Sequence, residues 1–263
     1  MKIAILSGVL LTSILACFVL ASPAEAPRLE MASEKYIAAE RSTTPEEREQ
    51  LFNESLTIYL SYAKEHPSGM LLNNIGNIYF YLGDFGLAIS YYRRAAVLMP
   101  RDSVIQKNLH LVLDRAGVAS LQQERPLSDA LGFRWCSPLE RVALGMGAIA
   151  MTLVFFSLNL WLRSFGFSWL WRISAIVTVA FLGACAWYDL VVPQQAVVVK
   201  AAPLRASSDA PFTEPAVTTV RPGETVEVLG TDASRHWIRV RTASKATGYL
   251  PGQDLCFVTV QGA

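Results

Sequence analysis

The sequence has few of the residues from which metal sites and catalytic centres are built. It contains 4 cysteines and 3 histidines in 263 residues, and no two cysteines stand at C-x-x-C spacing. A structural zinc site needs four clustered cysteine or histidine ligands, which this spacing does not supply. The motifs G-x-S-x-G and H-E-x-x-H and a phosphate-binding glycine loop are also missing. We therefore expect no metal, no cofactor and no enzymatic active site.

Charge is scarce as well. Charged residues make up 17% of the chain and the formal net charge is +1, whereas soluble domains carry about a quarter charged residues. Without an excess of either sign, the protein has no long-range field to attract nucleic acid, so we set that partner aside. Apolar residues make up 52% of the chain. Because they are concentrated in blocks, they indicate membrane segments rather than one large core.

The first apolar block stands at the N-terminus. A lysine precedes an apolar run over residues 3–20, and small residues and a proline follow it. This layout predicts a secretory signal peptide over residues 1–24, with cleavage after Ala21 or Ala24. The segment could instead remain uncleaved as an anchor, or form a loose lipobox at Cys17. All three alternatives place the following residues outside the cytoplasm.

Residues 27–118 have helical periodicity. Thr44 and the Pro-Glu-Glu that follows it predict a helix start with a capping box, and Pro67 predicts the end of that helix. Residues 69–100 predict two amphipathic helices joined by a turn at residues 82–85. A further apolar pattern predicts a closing helix at residues 102–115.

Residues 69–100 resemble a tetratricopeptide repeat. Small residues stand where two helices must approach closely, large residues fill the space around them, and a proline closes the unit. The matching residues are Leu72, Ile75, Gly76, Tyr79, Gly83, Phe85, Ala88, Tyr92, Ala95 and Pro100. A single repeat cannot bury both of its faces. The resemblance therefore implies a short α-helical solenoid of about two repeats with a capping helix.

In this family the first helix of each repeat lines a concave groove. The resemblance assigns that position to Asn73, Asn74, Asn77, Phe80 and Tyr81, and the equivalent position of the next helix to Asn108. An asparagine amide both donates and accepts hydrogen bonds, so these residues could bind an extended peptide backbone. Alternatively, the asparagines could hydrogen-bond only to neighbouring helices or to water.

Two long apolar runs follow a polar linker at residues 119–137. Residues 139–162 and 173–192 are long enough to be transmembrane helices, and tryptophans at their boundaries fit the membrane interface. Two arginines in the connector at residues 163–172 place this turn in the cytoplasm by the positive-inside rule. Both soluble parts then lie outside the cytoplasm. The alternative is that the runs are core helices of a soluble protein.

The sequence pattern of residues 194–263 is no longer helical and predicts short strands separated by turns. The segments AVVV, PGETVEVLG, HWIRVR and TGYLPGQDL resemble the bacterial SH3 family, which implies a small all-β barrel. Trp237 is either a ligand platform or a core residue, and a barrel this small favours the core. Arg239 shares an exposed face with Arg241, where it could contact an anionic partner.

The order of these segments resembles the BatE-type proteins of the bacterial aerotolerance cluster. That resemblance implies a stress-related membrane complex with von Willebrand factor A domain proteins and a MoxR-type ATPase. It predicts a non-enzymatic scaffold in the inner membrane, with both soluble domains periplasmic. The alternative hypothesis is a peptidoglycan-binding module that acts through the SH3-like domain.

Overall fold

The computed structural model divides the chain into two compact units, residues 1–62 and 63–263. It describes residues 26–118, 135–162, 165–191, 194–207, 218–231 and 236–258. The signal peptide predicted at residues 1–24 and most of the linker predicted at 119–137 lie outside the described residues.

The described part of the chain is helical first and stranded last, in the order that the periodicity predicts. Its helices are α1 (Ala26–Arg41), α2 (Pro45–Glu65), α3 (Gly69–Tyr81), α4 (Phe85–Leu98), α5 (Ser103–Ala116), α6 (Pro138–Leu162) and α7 (Phe165–Val191). Its strands are β1 (Gln195–Val198), β2 (Ala202–Leu204), β3 (Thr218–Val220), β4 (Thr225–Thr231), β5 (Trp237–Arg241), β6 (Thr247–Pro251) and β7 (Leu255–Phe257).

The described part of the first unit contains α1 and most of α2, packed as an antiparallel pair. The Ser55 hydroxyl donates a hydrogen bond to the carbonyl oxygen of Ala32 at 2.7 Å. The Lys35 ammonium forms an ion pair with the Glu54 carboxylate. From Ala32 to Lys35 the residue number rises along α1, while that of the partner in α2 falls from Ser55 to Glu54. The two helices therefore run in opposite directions.

The helix α2 begins at Pro45, where the sequence predicts a helix start. The Glu47 carboxylate accepts hydrogen bonds from the Ser42 hydroxyl at 2.9 Å and the Thr44 hydroxyl at 3.4 Å. Proline suits this first turn because its missing N–H has no partner there in any case. The helix ends at Glu65, just before Pro67, as predicted.

The close packing of α3 on α4 depends on Gly76. A Cβ atom at this position would lie 2.8 Å from ring carbons of Tyr92, much closer than non-bonded carbon atoms approach. Ala88 and Ala95 of α4 are completely buried. The turn between the helices places Gly83 at φ 81°, in the region that favours glycine. The two helices and their turn are confirmed where the repeat pattern predicts them.

The helix α5 covers α4 and has a cap at each end. The Asp102 carboxylate accepts hydrogen bonds from the backbone N–H of Val104 at 2.8 Å and of Ile105 at 3.1 Å, which satisfies donors that the helix leaves unpaired. Gly117 ends the helix at φ 62°. Val112 is completely buried. This confirms the predicted closing helix, which a single repeat needs to bury its second face.

The helices α6 and α7 form an antiparallel pair and are long and apolar enough to cross a membrane, at Pro138–Leu162 and Ser168–Tyr188. Only 6% of each apolar stretch is buried inside the molecule, which does not fit core helices of a soluble protein. Helix α7 begins at Phe165, so most of the connector expected at residues 163–172 is helical. A helix can continue beyond the apolar part that would span the bilayer.

Polar side chains join α6 to α7 near the middle of the pair. The Thr152 hydroxyl lies 2.8 Å from the Ser174 hydroxyl and 3.0 Å from the Thr178 hydroxyl. Hydroxyl groups placed between helices in this way are typical of packing inside a bilayer, where no water is present to solvate them.

The strands form an antiparallel five-stranded sheet in the order β6-β5-β4-β1-β7, together with a two-stranded ribbon of β2 and β3. One bridge joins the ribbon to β6, in which Arg205 and Tyr249 exchange backbone hydrogen bonds of 3.1 and 2.8 Å. Within the described residues these strands do not close into the predicted barrel. The ribbon instead packs over one face of the sheet and encloses a core that includes Leu204, Ile238 and Leu250.

Strand β1 is buried on both faces. Ala196 and Val198 belong to the core of the sheet, whereas Val197 belongs to a cluster with Ile89 of α4. A Cβ atom at Gly86 would lie 2.9 Å from the carbonyl oxygen of Val199, so the helix backbone approaches the chain closely there. The sheet therefore packs directly on the second helix of the repeat.

Candidate functional site

The predicted groove residues are joined by hydrogen bonds between α3, α4 and α5. The Asn108 amide nitrogen donates to Oδ1 of Asn73 at 3.0 Å and to Oδ1 of Asn77 at 3.2 Å. The Tyr92 hydroxyl donates to the same Asn77 oxygen at 2.7 Å. Three asparagines that are far apart in sequence thus form one cluster, which we call the asparagine cluster (Asn73, Asn77 and Asn108).

The asparagine cluster retains hydrogen-bonding capacity. Both N–H groups of the Asn108 amide are used, and Oδ1 of Asn77 already accepts two bonds. The amide nitrogens of Asn73 and Asn77 and the amide oxygen of Asn108 have no partner among the described residues. Asn74 is half-buried, and its side chain forms no hydrogen bond in the described part of the chain. Asn73 is buried, whereas the half-buried Asn74, Asn77 and Asn108 could pair with the donors and acceptors of a peptide backbone.

Exposed apolar side chains flank the cluster on both helices. Met70 and Tyr81 are 68% and 52% exposed on α3, and Val104 and Leu111 are 56% and 47% exposed on α5. Met70, Asn74, Asn77 and Tyr81 recur at intervals of three and four residues, which places them on one helix face, and so do Val104, Asn108 and Leu111. On both faces the amides lie at the centre and the exposed apolar residues at the ends.

Phe80 does not belong to this exposed face. Its ring lies 5.8 Å from that of Phe85, and it packs against the buried cluster that includes Val197. It is one position away from Tyr81 along α3, so it points to a different side of the helix. Its predicted place in the groove is wrong for that reason.

Burial changes the acidity of the tyrosines around the repeat. Burial, with smaller effects of Tyr91 and Asp84, raises the pKa of Tyr79 to about 12. Burial also raises the pKa of Tyr92 well above its usual range. The Tyr92 hydroxyl therefore keeps its proton at neutral pH and is available as the donor to Asn77.

Trp237 and Arg239 lie on the sheet. They alternate with the buried residues Ile238 and Val240 along β5, so they face away from the core. Trp237 is half-buried, and the Arg205 guanidinium carbon lies 5.0 Å from the centre of its ring. Its side chain is not part of the core cluster, contrary to the core alternative.

Arg239 is exposed, and no described carboxylate lies within ion-pair distance of it. Its neighbour Arg241, in contrast, forms an ion pair with Glu227 at 3.3 Å. Among the described residues, no hydrogen bond or ring contact joins Trp237 or Arg239 to the asparagine cluster. The predicted site residues therefore fall into two separate surfaces.

The described residues contain no cluster of three or more histidine, cysteine or acidic side chains that could hold a metal ion. Among the described residues, Cys136, Cys185 and Cys256 form no disulfide bond.

Sequence reasoning missed the contributions of Tyr92 and Arg205. The repeat pattern predicts Tyr92 only as a packing residue. A tyrosine instead of phenylalanine at this position was the one signal that a polar partner lies nearby, because buried tyrosine hydroxyls usually find one. Arg205 reaches Trp237 from the end of the ribbon, and no local pattern connects two residues so far apart in sequence.

Residues 70–102 match the tetratricopeptide repeat family. The match covers α3, the turn at Gly83 and α4. No curated protein and no solved structure shows a significant match to the chain. The repeat supports a role in protein–protein interaction, since the concave faces of such helical repeats are binding surfaces.

Proposed function

We propose that the protein is a non-enzymatic, membrane-anchored scaffold whose groove between α3 and α5 binds an extended segment of a partner protein. The observation that carries this proposal is the asparagine cluster, with free amide groups between exposed apolar side chains. Free amides can pair with a peptide backbone, and the flanking Met70 and Leu111 can bury its apolar side chains. Because the sheet packs on α4, behind the groove, it leaves the groove open.

The two apolar helices supply the anchor in this proposal. The Arg101 guanidinium pairs with the Glu140 carboxylate near the start of α6, and β1 begins at Gln195, soon after α7 ends at Val191. The repeat and the sheet thus both adjoin the same end of the antiparallel pair. This supports a topology with both soluble parts on one side of the inner membrane, the periplasmic side, and the turn in the cytoplasm.

The partner class follows from the resemblance to BatE-type proteins. We propose von Willebrand factor A domain membrane proteins, associated with a MoxR-type ATPase, as the proteins that this scaffold assembles. The SH3-like assignment of the sheet and the signal peptide at residues 1–24 belong to the same proposal. The repeat match at residues 70–102 supports the interaction role.

Co-purification of the full-length protein from native membranes tests the groove. Asn74→Ala combined with Leu111→Ala should lower the recovery of von Willebrand factor A domain proteins several-fold. Neither side chain holds the helices together, so the fold should persist. His110→Ala is the matched control and should leave recovery unchanged, because His110 is exposed on α5 but does not share the face of Val104, Asn108 and Leu111. Equal recovery with the wild-type protein, the double variant and the control variant would remove the groove from the proposal.

A second candidate function is binding of peptidoglycan through the sheet. The half-buried Trp237 ring with the exposed Arg239 favours it, because aromatic rings pack on sugars and arginine pairs with carboxylates. Co-sedimentation of the detergent-solubilised protein with purified sacculi tests this function. Enrichment in the pellet that Trp237→Ala abolishes is the expected result, and an empty pellet argues against the candidate.

A further inference from the structure

The sheet begins very close to the end of the proposed membrane anchor. Helix α7 ends at Val191 and strand β1 starts at Gln195. Even a fully extended chain covers only about 14 Å over these four residues. The start of β1 therefore lies within about 14 Å of the end of α7. Such a short tether keeps part of the sheet beside the lipid headgroups.

Strand directions identify which part of the sheet this is. Strand β4 is antiparallel to β1, and Gln195, the first residue of β1, pairs with Glu227. The residues of β4 after Glu227 therefore extend past the start of β1, on the side from which the chain arrives. Strand β5 pairs with this extension through Gly230–Arg239 and Thr231–Ile238. The β4–β5 end of the sheet thus projects on the membrane side of β1.

The exposed residues of this end have the chemistry of a membrane interface. Leu229 is 39% exposed. Trp237 presents part of its ring on the outer face beneath the Arg205 guanidinium. Tryptophan and arginine are enriched where proteins meet headgroups. Arg239 is exposed on the same face and has no carboxylate partner among the described residues.

We propose that the β4–β5 end of the sheet is a lipid-contact surface. Leu229 and Trp237 enter the headgroup region of the bilayer that the chain itself spans, and Arg239 binds the phosphate of anionic phospholipids. This inference rests on the proposed membrane anchor. It goes beyond the anchor because it assigns a ligand to the sheet and fixes how the groove is held above the membrane.

Quenching of tryptophan fluorescence by brominated lipid tests the contact. The full-length protein is reconstituted in phosphatidylcholine vesicles with and without phosphatidylglycerol, and the lipid is brominated near the carbonyl end of its acyl chains. The emission of Trp237 is obtained as the difference between the wild-type protein and Trp237→Phe. We expect this difference emission to be strongly quenched, and more so when phosphatidylglycerol is present.

Variants of Arg239 separate lipid binding from a change in fold, because the side chain is exposed. With Arg239→Gln, quenching of the Trp237 emission should lose its dependence on phosphatidylglycerol. Arg239→Lys keeps the charge and should retain that dependence. Identical behaviour of both variants and the wild-type protein would overturn the role of Arg239 in binding phosphate.

The tryptophans of α6 and α7 distinguish a failure of the lipid-contact surface from a failure of the membrane anchor. If Trp161, Trp171 and Trp187 are quenched while the Trp237 emission is not, the anchor stands and the lipid-contact surface is wrong. Pelleting with sacculi in that case would assign the face to the cell wall instead. If none of the tryptophans is quenched, the anchor itself is wrong, and the lipid contact with it.

Discussion

Asn77 accepts hydrogen bonds from two helices, and this makes its side chain the link between the groove and the body of the repeat. The Asn108 amide approaches from α5 and the Tyr92 hydroxyl from α4. Losing one donor leaves the Asn77 oxygen with the other. Losing both leaves a partly buried carbonyl without a donor, which costs more than one lost bond.

We therefore predict non-additive effects of Tyr92→Phe and Asn108→Ala on the free energy of unfolding. Each single change should cost about 1 kcal/mol, and the pair should show an extra coupling of about 0.5 kcal/mol or more. Denaturant unfolding of the full-length protein in detergent measures all three variants. Lys107→Ala, exposed on α5, serves as the control and should change stability by less than about 0.5 kcal/mol. Strict additivity would contradict the shared acceptor.

Alkaline conditions should destabilise the second unit through its buried tyrosines. The pKa of Tyr79 rises from 10.0 to about 12 on folding, mainly because the ring is buried. Its neutral form is thus favoured by the fold, so this stabilisation is complete below pH 10 and is lost as the pH rises towards 12. The melting temperature of the detergent-solubilised protein should fall across this interval. The melting temperature of the Tyr79→Phe variant should fall less steeply over the same interval. Parallel curves for the variant and the wild-type protein would show that another group titrates.

At the scale of elements, the helices could be read from the sequence because their signals are local. Pro45, Gly83 and Asp102 stand at helix boundaries for reasons that involve only neighbouring residues. The face of α3 was less predictable. The repeat pattern predicts Phe80 in the groove with Tyr81, yet contacts with residues distant in sequence partly bury it. Position along a helix determines the direction of a side chain, but only the tertiary structure determines what covers it.

The packing of the sheet on the repeat was not predicted, although β1 carried a signal for it. Its sequence continues as an uninterrupted apolar run, Ala196 to Val199, rather than alternating with polar residues. A strand with one solvated face alternates, whereas a strand covered on both faces is apolar throughout. Here the second covering layer is α4. The predicted barrel did not suggest this packing on α4, because the outer face of a strand in a barrel would be open to water.

Gly86→Ala should weaken this packing. The added Cβ atom would meet the carbonyl oxygen of Val199 at 2.9 Å, and a backbone group cannot rotate away as a side chain can. We expect a loss of about 1–3 kcal/mol and faster amide hydrogen exchange in both β1 and α4. The control is Gly147→Ala in α6, where no described atom lies within 4 Å of an added Cβ. Unchanged exchange in β1 would contradict direct packing.

At the scale of the whole molecule, two independent arguments bear on the topology. The arginines of the predicted connector favour a cytoplasmic turn by the positive-inside rule. Separately, α4 precedes the two apolar helices in sequence and β1 follows them, yet α4 and β1 pack against each other. Two packed elements must share one compartment. The sequence supplied only the first argument, because contacts between residues separated by a membrane hairpin leave no periodic pattern.

Alkaline phosphatase fusions test this topology, because the enzyme is active only outside the cytoplasm. Fusions after Gly117 and after Ala263 should both be active, since the repeat and the sheet occupy the same side in the proposed arrangement. A fusion between Leu162 and Phe165 should be inactive, and the wild-type protein should stay in the membrane fraction after carbonate extraction. Opposite activities of the first two fusions would contradict the packing of β1 on α4 as well as the topology. Two inactive fusions with full membrane retention would keep the packing and reverse only the orientation.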